Sequence, residues 1–286
     1  MNSNAYNSGS DKIKALDELF LNASVYRNSD EFYKLLNFIN KFRNFSPFNA
    51  FLLYNQNKGL EIAMTRSKWL RYNRTIKPLS KSYVILVPFG PVNFVYDIKD
   101  TEGDDMSLSL FEDGIPPQLT NPFNTSGDFD SHLYSLLNEN CWAHSIQVEE
   151  SDIVDSAAGY VRRKNNTFVI TLNSKWDVKV KFSTLIHELG HIFSGHLGIL
   201  EDSFWDARHS LSQNIIEIEA ESISFLTCNR IGLTTNSHEY LSQYISKDKE
   251  IPNISLDTIL TVSGYIEQML SATFRPKKSS MKTNKQ

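Results

Sequence analysis

The run His187-Glu188-Leu189-Gly190-His191 constrains this chain more than any other five residues in it. Residues i and i+4 lie about one turn apart on the same face of an α-helix, so His187 and His191 can bind one metal ion together. Glu188 stands beside the first histidine, close enough to take a proton from a water that the metal activates. Phe182, Leu185, Ile186, Leu189, Ile192 and Phe193 recur at helical intervals around the motif, which predicts an amphipathic, half-buried helix. Gly195 and Gly198 supply its stop.

A catalytic zinc ion takes three protein ligands and keeps one position for water. A metzincin-type site would need glycine at 194 and histidine at 197; Ser194 and Leu197 exclude that class. His196 is off that spacing and is expected to pack or hydrogen-bond beside the site. Residues 214–225 predict a long helix reaching Arg230, with three glutamates as candidates. Glu217 and Glu221 share a face at i, i+4, while Glu219 is rotated about 200° away. Ile216, Ala220, Ile223 and Leu226 flank the 217/221 stripe and draw it towards the core. Two buried carboxylates are costly unless a metal or hydrogen bonds compensate them. Glu217 is therefore assigned as third ligand, and Glu221 as the partner that orients a ligand imidazole through its free N–H. Glu219 is left to a solvated face.

The runs Ser183-Thr-Leu-Ile-His-Glu-Leu-Gly-His191 and Glu217-Ile-Glu-Ala-Glu221-Ser-Ile-Ser-Phe225 resemble the ImmA/IrrE group of gluzincin-type metallopeptidases. The resemblance implies that Glu217 sits on the third-ligand position. Residues 159–173 also resemble that group, and on their own they read as a β-hairpin. Residues 160–163 and 167–172 are β-prone, and the Lys164-Asn165-Asn166 turn tolerates positive φ. In such peptidases the strand before the motif helix is an edge to which an extended substrate adds by backbone pairing.

A second resemblance lies upstream. Ser46-Pro-Phe-Asn49-Ala-Phe-Leu-Leu-Tyr-Asn-Gln56, Trp69, the stretch 77–81, Tyr83-Val-Ile-Leu-Val-Pro88 and Val95-Tyr-Asp97-Ile-Lys-Asp-Thr101-Glu-Gly103 follow one another in an order similar to the N-terminal domain of ArdC-like antirestriction proteins. That family binds single-stranded DNA, so the resemblance implies such a partner. Charge is consistent with it: residues 1–90 hold 13 Lys/Arg against 6 Asp/Glu, whereas residues 91–155 hold 1 against 14. Phosphates attract mobile cations, and unpaired bases stack on aromatic faces. Lys68, Trp69, Arg71, Tyr72, Arg74, Lys77 and Lys81 are the candidate DNA-binding residues.

The 286 residues, 41% apolar, suffice for one large or two modest cores. No stretch approaches the ~20 apolar residues of a membrane span. Met1–Ser10 is polar and shows no export signal, so a cytoplasmic setting is expected. Cys141 and Cys228 are too few for a disulfide framework and are expected to be reduced core thiols. The expected organisation is α+β. A disordered stretch 1–10 precedes an ArdC-like domain over 11–105, with helices near 11–22, 29–43 and 46–57 and strands near 83–88 and 93–98. An irregular acidic linker 106–130 leads to a zincin-like metallopeptidase domain over 131–273, mainly helical with a small antiparallel sheet. It comprises a helix near 131–140, a strand 145–149, the hairpin, the motif helix, a loop 198–210 over the site and a closing helix 255–272. A basic disordered tail 274–286 follows.

Together these features predict a Zn2+-dependent endopeptidase acting on a protein or peptide. His187, His191 and Glu217 hold the ion, Glu188 is the general base, and Tyr160, Tyr240 or His196 supplies an oxyanion donor. Two alternatives stay open. One is a single-strand-DNA-binding antirestriction protein that does not need its metal site. The other is an ImmA-like protease that cleaves a repressor and uses its N-terminal half to bind protein.

Overall fold

A computed structural model describes residues 29–87, 92–103, 130–153, 157–233 and 250–277. The expected helix 11–22, disordered stretch 1–10, linker 106–129 and last tail residues 278–286 lie outside them. The described residues form a mixed α+β protein that divides into two compact units. One is built on Tyr33–Asp128 with Arg230–Gly232, the other on the remainder.

In the first unit, α1 (Ser29–Lys41) and α2 (Pro47–Gln56) pack Leu35, Leu36, Ile39, Ala50 and Leu53 into a core. Ser46 caps α2 by accepting from the Asn49 amide, and Pro47 fits the first turn, where its missing N–H costs nothing. The strands β1 (Ala63–Met64), β4 (Asn93–Asp97) and β3 (Tyr83–Ile85) form an antiparallel sheet in the order β1-β4-β3. Two amides of α2 finish the open side of β3. Gln56 donates to the Val84 carbonyl at 2.8 Å and accepts from its N–H at 2.7 Å. Asn49 does the same for Leu86, at 2.9 Å each way. A helix side chain thus stands where a further strand would pair.

Between these strands, α3 (Arg66–Arg71) is capped by Thr65 and leads to β2 (Arg74–Ile76), which pairs antiparallel with β5 (Thr101–Gly103). Trp69 is fully buried against Ile62 and Met64, with its indole N–H donating to the Tyr96 carbonyl at 2.9 Å. Arg74 is also interior, and its Nε donates to Thr101 Oγ1 at 2.7 Å. Both leave the expected DNA platform: a buried indole offers no face to a base, and a guanidinium committed inside the unit offers no charge to a phosphate. Tyr72 is half-buried against the same cluster. Lys68 is half-buried, while Arg71, Lys77 and Lys81 stay exposed. Lys81 lies over the Tyr83 ring and Lys77 donates to the Lys99 carbonyl.

The second unit contains the motif. After α4 (His132–Cys141) and a 3-10 turn over Trp142–His144, Ser145 takes φ 56° and turns the chain into β6 (Ile146–Ser151). The hairpin β7 (Gly159–Lys164) and β8 (Thr167–Asn173) forms as the sequence predicts, with Asn165 at φ 56° in its turn. The sheet order is β6-β8-β7, with β6 parallel to β8 and β7 antiparallel to it, so the sheet is mixed rather than antiparallel. This also corrects the expected substrate edge. β8, the strand before the motif helix, lies between two neighbours, which is why Phe168 through Asn173 are all buried. The edge strands are β6 and β7, and β7 is the one that reaches Glu188 of the motif. The Asn173 amide donates to the Ala158 carbonyl at 2.8 Å, so by alternation the backbone groups of Gly159, Val161 and Arg163 face outward.

Three long helices complete this unit. α5 (Val178–Phe193) is capped by the Asp177 carboxylate, which accepts from the amides of Lys179 and Val180. α6 runs Gln213–Arg230, and α7 (Leu256–Met269) turns Leu256, Ile259, Leu260, Val262 and Ile266 inward as their periodicity predicts. Cys141 and Cys228 are free and fully buried, and burial pushes the Cys228 thiol up to about 12. The expected tail begins later than residue 274, since the Phe274 ring packs 5.7 Å from that of Tyr265 and the Lys277 amide donates to the Tyr265 hydroxyl. No helix among the described residues is long and apolar enough to cross a membrane.

Trp69→Ala separates a core role from a stacking role. A buried tryptophan truncated to alanine costs about 3–5 kcal/mol, so the variant's denaturant midpoint should fall sharply. A midpoint unchanged from wild type would refute the interior assignment.

Candidate metal centre

Two helices meet where small residues let them approach. A Cβ placed on Gly190 of α5 would lie 3.3 Å from the Cα of Ala220 on α6. At that separation the carboxylate of Glu217 reaches the two imidazoles of α5. His187 Nε2 and His191 Nε2 are 3.1 Å apart, and Glu217 Oε2 lies 3.6 and 3.7 Å from them. These three side chains form a possible metal-ligand set. Bonds of about 2.0–2.1 Å at tetrahedral angles put ligand atoms about 3.3 Å apart, so the triangle fits one small divalent cation without rearrangement. Gln213 donates to the other oxygen of Glu217, leaving Oε2 as the atom directed at the histidines.

Each histidine has a partner behind it. His187 Nδ1 lies 3.0 Å from Glu221 Oε2, one turn beyond Glu217 on α6. His191 Nδ1 lies 3.1 Å from His196 Nδ1. The other nitrogen of His196 is 3.0 Å from Glu219 Oε2. Arg208 grips Glu219 with both guanidinium nitrogens, at 2.6 and 2.8 Å, and the Ser255 amide donates to it at 2.7 Å. Glu219 is therefore not on a solvated face: its side chain, like that of His196, is fully buried. Over these turns α6 has no wet side. Ile218, Glu219, Ala220 and every residue from Ser222 to Cys228 are buried, so the helix is packed nearly all round.

The turn after α5 makes this possible. Gly195 takes φ 72°, and a Cβ there would sit 1.9 Å from the Asp206 carbonyl oxygen, so only glycine lets the following loop come this close. The loop is fastened by the Arg208 amide on the Gly195 carbonyl at 2.8 Å. This part of the expected loop over the site instead backs a ligand.

The electrostatics follow from the packing. Burial alone would push His187 down, but hydrogen bonds to Glu217 and Glu221 outweigh it and raise the imidazole to about 10. Burial would raise Glu217, yet the two histidines hold its carboxyl well below the usual range. Glu219 is held low in the same way by His196 and Arg208, against its burial. Burial lowers His191. Glu188 goes the other way: burial first, aided by the Glu217 charge, raises it against His187 and a hydrogen bond from the Val161 amide of β7. A carboxylate raised in this way is a stronger base than a free one.

Of the expected oxyanion donors, His196 is engaged at both nitrogens. Gly159 packs towards Thr184 of α5, so Tyr160, the next residue, points to the other face of β7. Tyr240 lies outside the described residues. A cavity of about 340 Å3 lined by His144, Leu200, Trp205 and Lys277 contains none of the ligands. Sequence reasoning missed Arg208, Gln213, Ser255 and the Val161 amide. One available signal was that residues 218–228 carry no charge except Glu219 and Glu221, too few to make a solvated face.

Two solved structures are similar to this chain. Both are crystal structures of the antirestriction protein ArdC from plasmid R388. The metal-free one is 12% identical, covers 79% of this chain and 83% of its own, and has a TM-score of 0.44. The Mn(II)-bound one is 13% identical, covers 80% and 90%, and has a TM-score of 0.40. No family model and no curated protein matches.

Cation binding should be tied to pH through His187. A ligand nitrogen must be bare, and His187 holds its second proton up to a pH of about 10, so each bound cation should displace about one proton at pH 7.5. Apparent affinity should then rise about tenfold per pH unit below that limit. Calorimetry in buffers of differing ionisation enthalpy counts the proton, and a count of zero would contradict the ion-paired His187.

Proposed function

We propose that the motif-bearing unit is a metal-dependent peptide-bond hydrolase with Zn2+ as its ion, held by His187, His191 and Glu217. The observation that carries this reading is the triangle of 3.1, 3.6 and 3.7 Å with Glu188 on the adjoining helical position. A bound divalent cation would supply Lewis acidity, polarising a carbonyl and lowering the pKa of water.

The chain's own residues do the rest. Glu188, raised by burial, takes a proton from the attacking water and delivers it to the departing amine. The Val161 amide holds that carboxylate against β7. An extended substrate pairs with the outward backbone of β7, which sets its scissile bond beside the triangle. Edge pairing favours a peptide over other hydrolysable substrates, since the partner must offer alternating N–H and C=O groups.

A second reading is favoured by the exposed cations Arg71, Lys77 and Lys81. In it the other unit binds single-stranded DNA and carries an antirestriction role, whether or not the metal site acts. With Trp69 interior, such binding would rest on phosphate contacts more than on stacking.

A library of quenched fluorescent peptides tests the hydrolase. The zinc-loaded wild type should cleave members of it, and Glu188→Gln should keep its metal while slowing cleavage by about 10²–10⁴-fold. Cleavage by Glu188→Gln at the wild-type rate, or none by the loaded wild type, would sink the reading. Binding of an oligo-dT probe tests the alternative. The pair Lys68→Glu/Arg71→Glu should weaken it and flatten the slope of log K against log salt by about 1–2. Unchanged affinity would remove these residues from any DNA surface.

A further inference from the structure

The partners of Glu219 leave little freedom in how protons are placed around His191. A carboxylate only accepts, and it has about four acceptor positions. Here Oε1 receives the Arg208 Nη2 and Ser255 amide donors, and Oε2 receives Arg208 Nη1 and faces His196 Nε2. A bare His196 nitrogen would set lone pair against lone pair inside a fully buried cluster, so His196 carries its proton on Nε2. With that single proton on Nε2, His196 is bare at Nδ1, and the 3.1 Å contact between the two Nδ1 atoms needs one proton, which His191 must supply. With its proton on Nδ1, His191 presents a bare Nε2 to the triangle shared with His187 and Glu217.

We infer that Arg208, Glu219 and His196 form a positioning relay that fixes His191 in the tautomer able to bind a cation. The inference rests on the proposed metal centre for the role of His191 as ligand. Its geometry is independent of catalysis. His187 is oriented in one step by Glu221, from the helix that also carries Glu217. His191 is oriented in two steps, and the anchor of the second draws on two further elements. Arg208 comes from the loop fastened to Gly195, and the Ser255 amide comes from the N-cap of α7. The relay ties one cation ligand to the loop and to α7, so a disturbance in either reaches the site through hydrogen bonds. None of the three residues touches the reacting atoms; they act through His191.

Long-range proton–nitrogen correlation spectra of the full chain, labelled with ¹⁵N-histidine, read the tautomers directly. His196 should show the Nε2–H form with and without Zn2+, and His191 the Nδ1–H form with Zn2+ bound. The Nδ1–H form at His196 would overturn the relay. Chelator competition for Zn2+ gives a second readout. His196→Ala and Glu219→Ala should each lose about 10–100-fold in affinity, and His196→Gln, whose carbonyl can accept from His191, should recover part of it. Folded alanine variants that bind Zn2+ as wild type does would overturn the relay. His187→Ala is the reference. If it too keeps wild-type affinity, the metal centre itself fails, and the tautomer of His196 decides the relay alone. If a variant does not fold, the wild-type spectra still decide.

Discussion

The close crossing of α5 and α6 is the constraint on which the candidate site depends. Backbone meets backbone at Gly190 and Ala220, and this brings a carboxylate from one helix within reach of two imidazoles on the other. An i, i+4 pair of histidines is local and needs only one helix. A third ligand is a tertiary fact, available only where side chains are small enough to let helix axes close. A larger residue at 190 would widen the gap, and Glu217 would then face the histidines without reaching them.

Crowding four carboxylates around two largely enclosed imidazoles would be ruinous if each stood alone. Glu217 and Glu221 share His187, Glu219 pairs with Arg208 and hydrogen-bonds to His196 and the Ser255 amide, and Glu188 is shifted by burial towards its neutral form. The front of the cluster keeps about a fifth of the His187 side chain open, while its back is closed. Among the described residues the His187 side is the open approach for an ion, and the burial of His196 and Glu219 keeps their hydrogen bond free of competing water.

Much of this was legible because it is periodic. The motif helix, the turn at Asn165, the inward face of α7, and the shared face of Glu217 and Glu221 all follow from local spacing. What was not legible depends on contacts between distant segments. Strand order put β8 in the middle, although the hairpin itself gave no sign of a parallel neighbour. Spacing alone turns Glu219 away from the 217/221 face, yet the loop carrying Arg208 and the start of α7 close over it. Trp69 and Arg74 sat among basic residues and read as surface, but a tryptophan beside Ile62 and Met64 fills a core whatever its charged neighbours are. Composition identifies a patch; it does not say which members of the patch point out.

The amide pairs of Asn49 and Gln56 on β3 bear on how the two sheets can meet other chains. A glutamine or asparagine amide turns an N–H and a C=O towards the strand, spaced like those of a peptide group, so it imitates a neighbouring strand without supplying one. β3 is blunted against polymerisation by residues that also hold a helix in place. β7 has no such mimic among its described contacts, apart from the single Glu188 carboxylate at Val161. One margin has been sealed with side-chain amides and the other left recruitable, and the recruitable one borders the histidines.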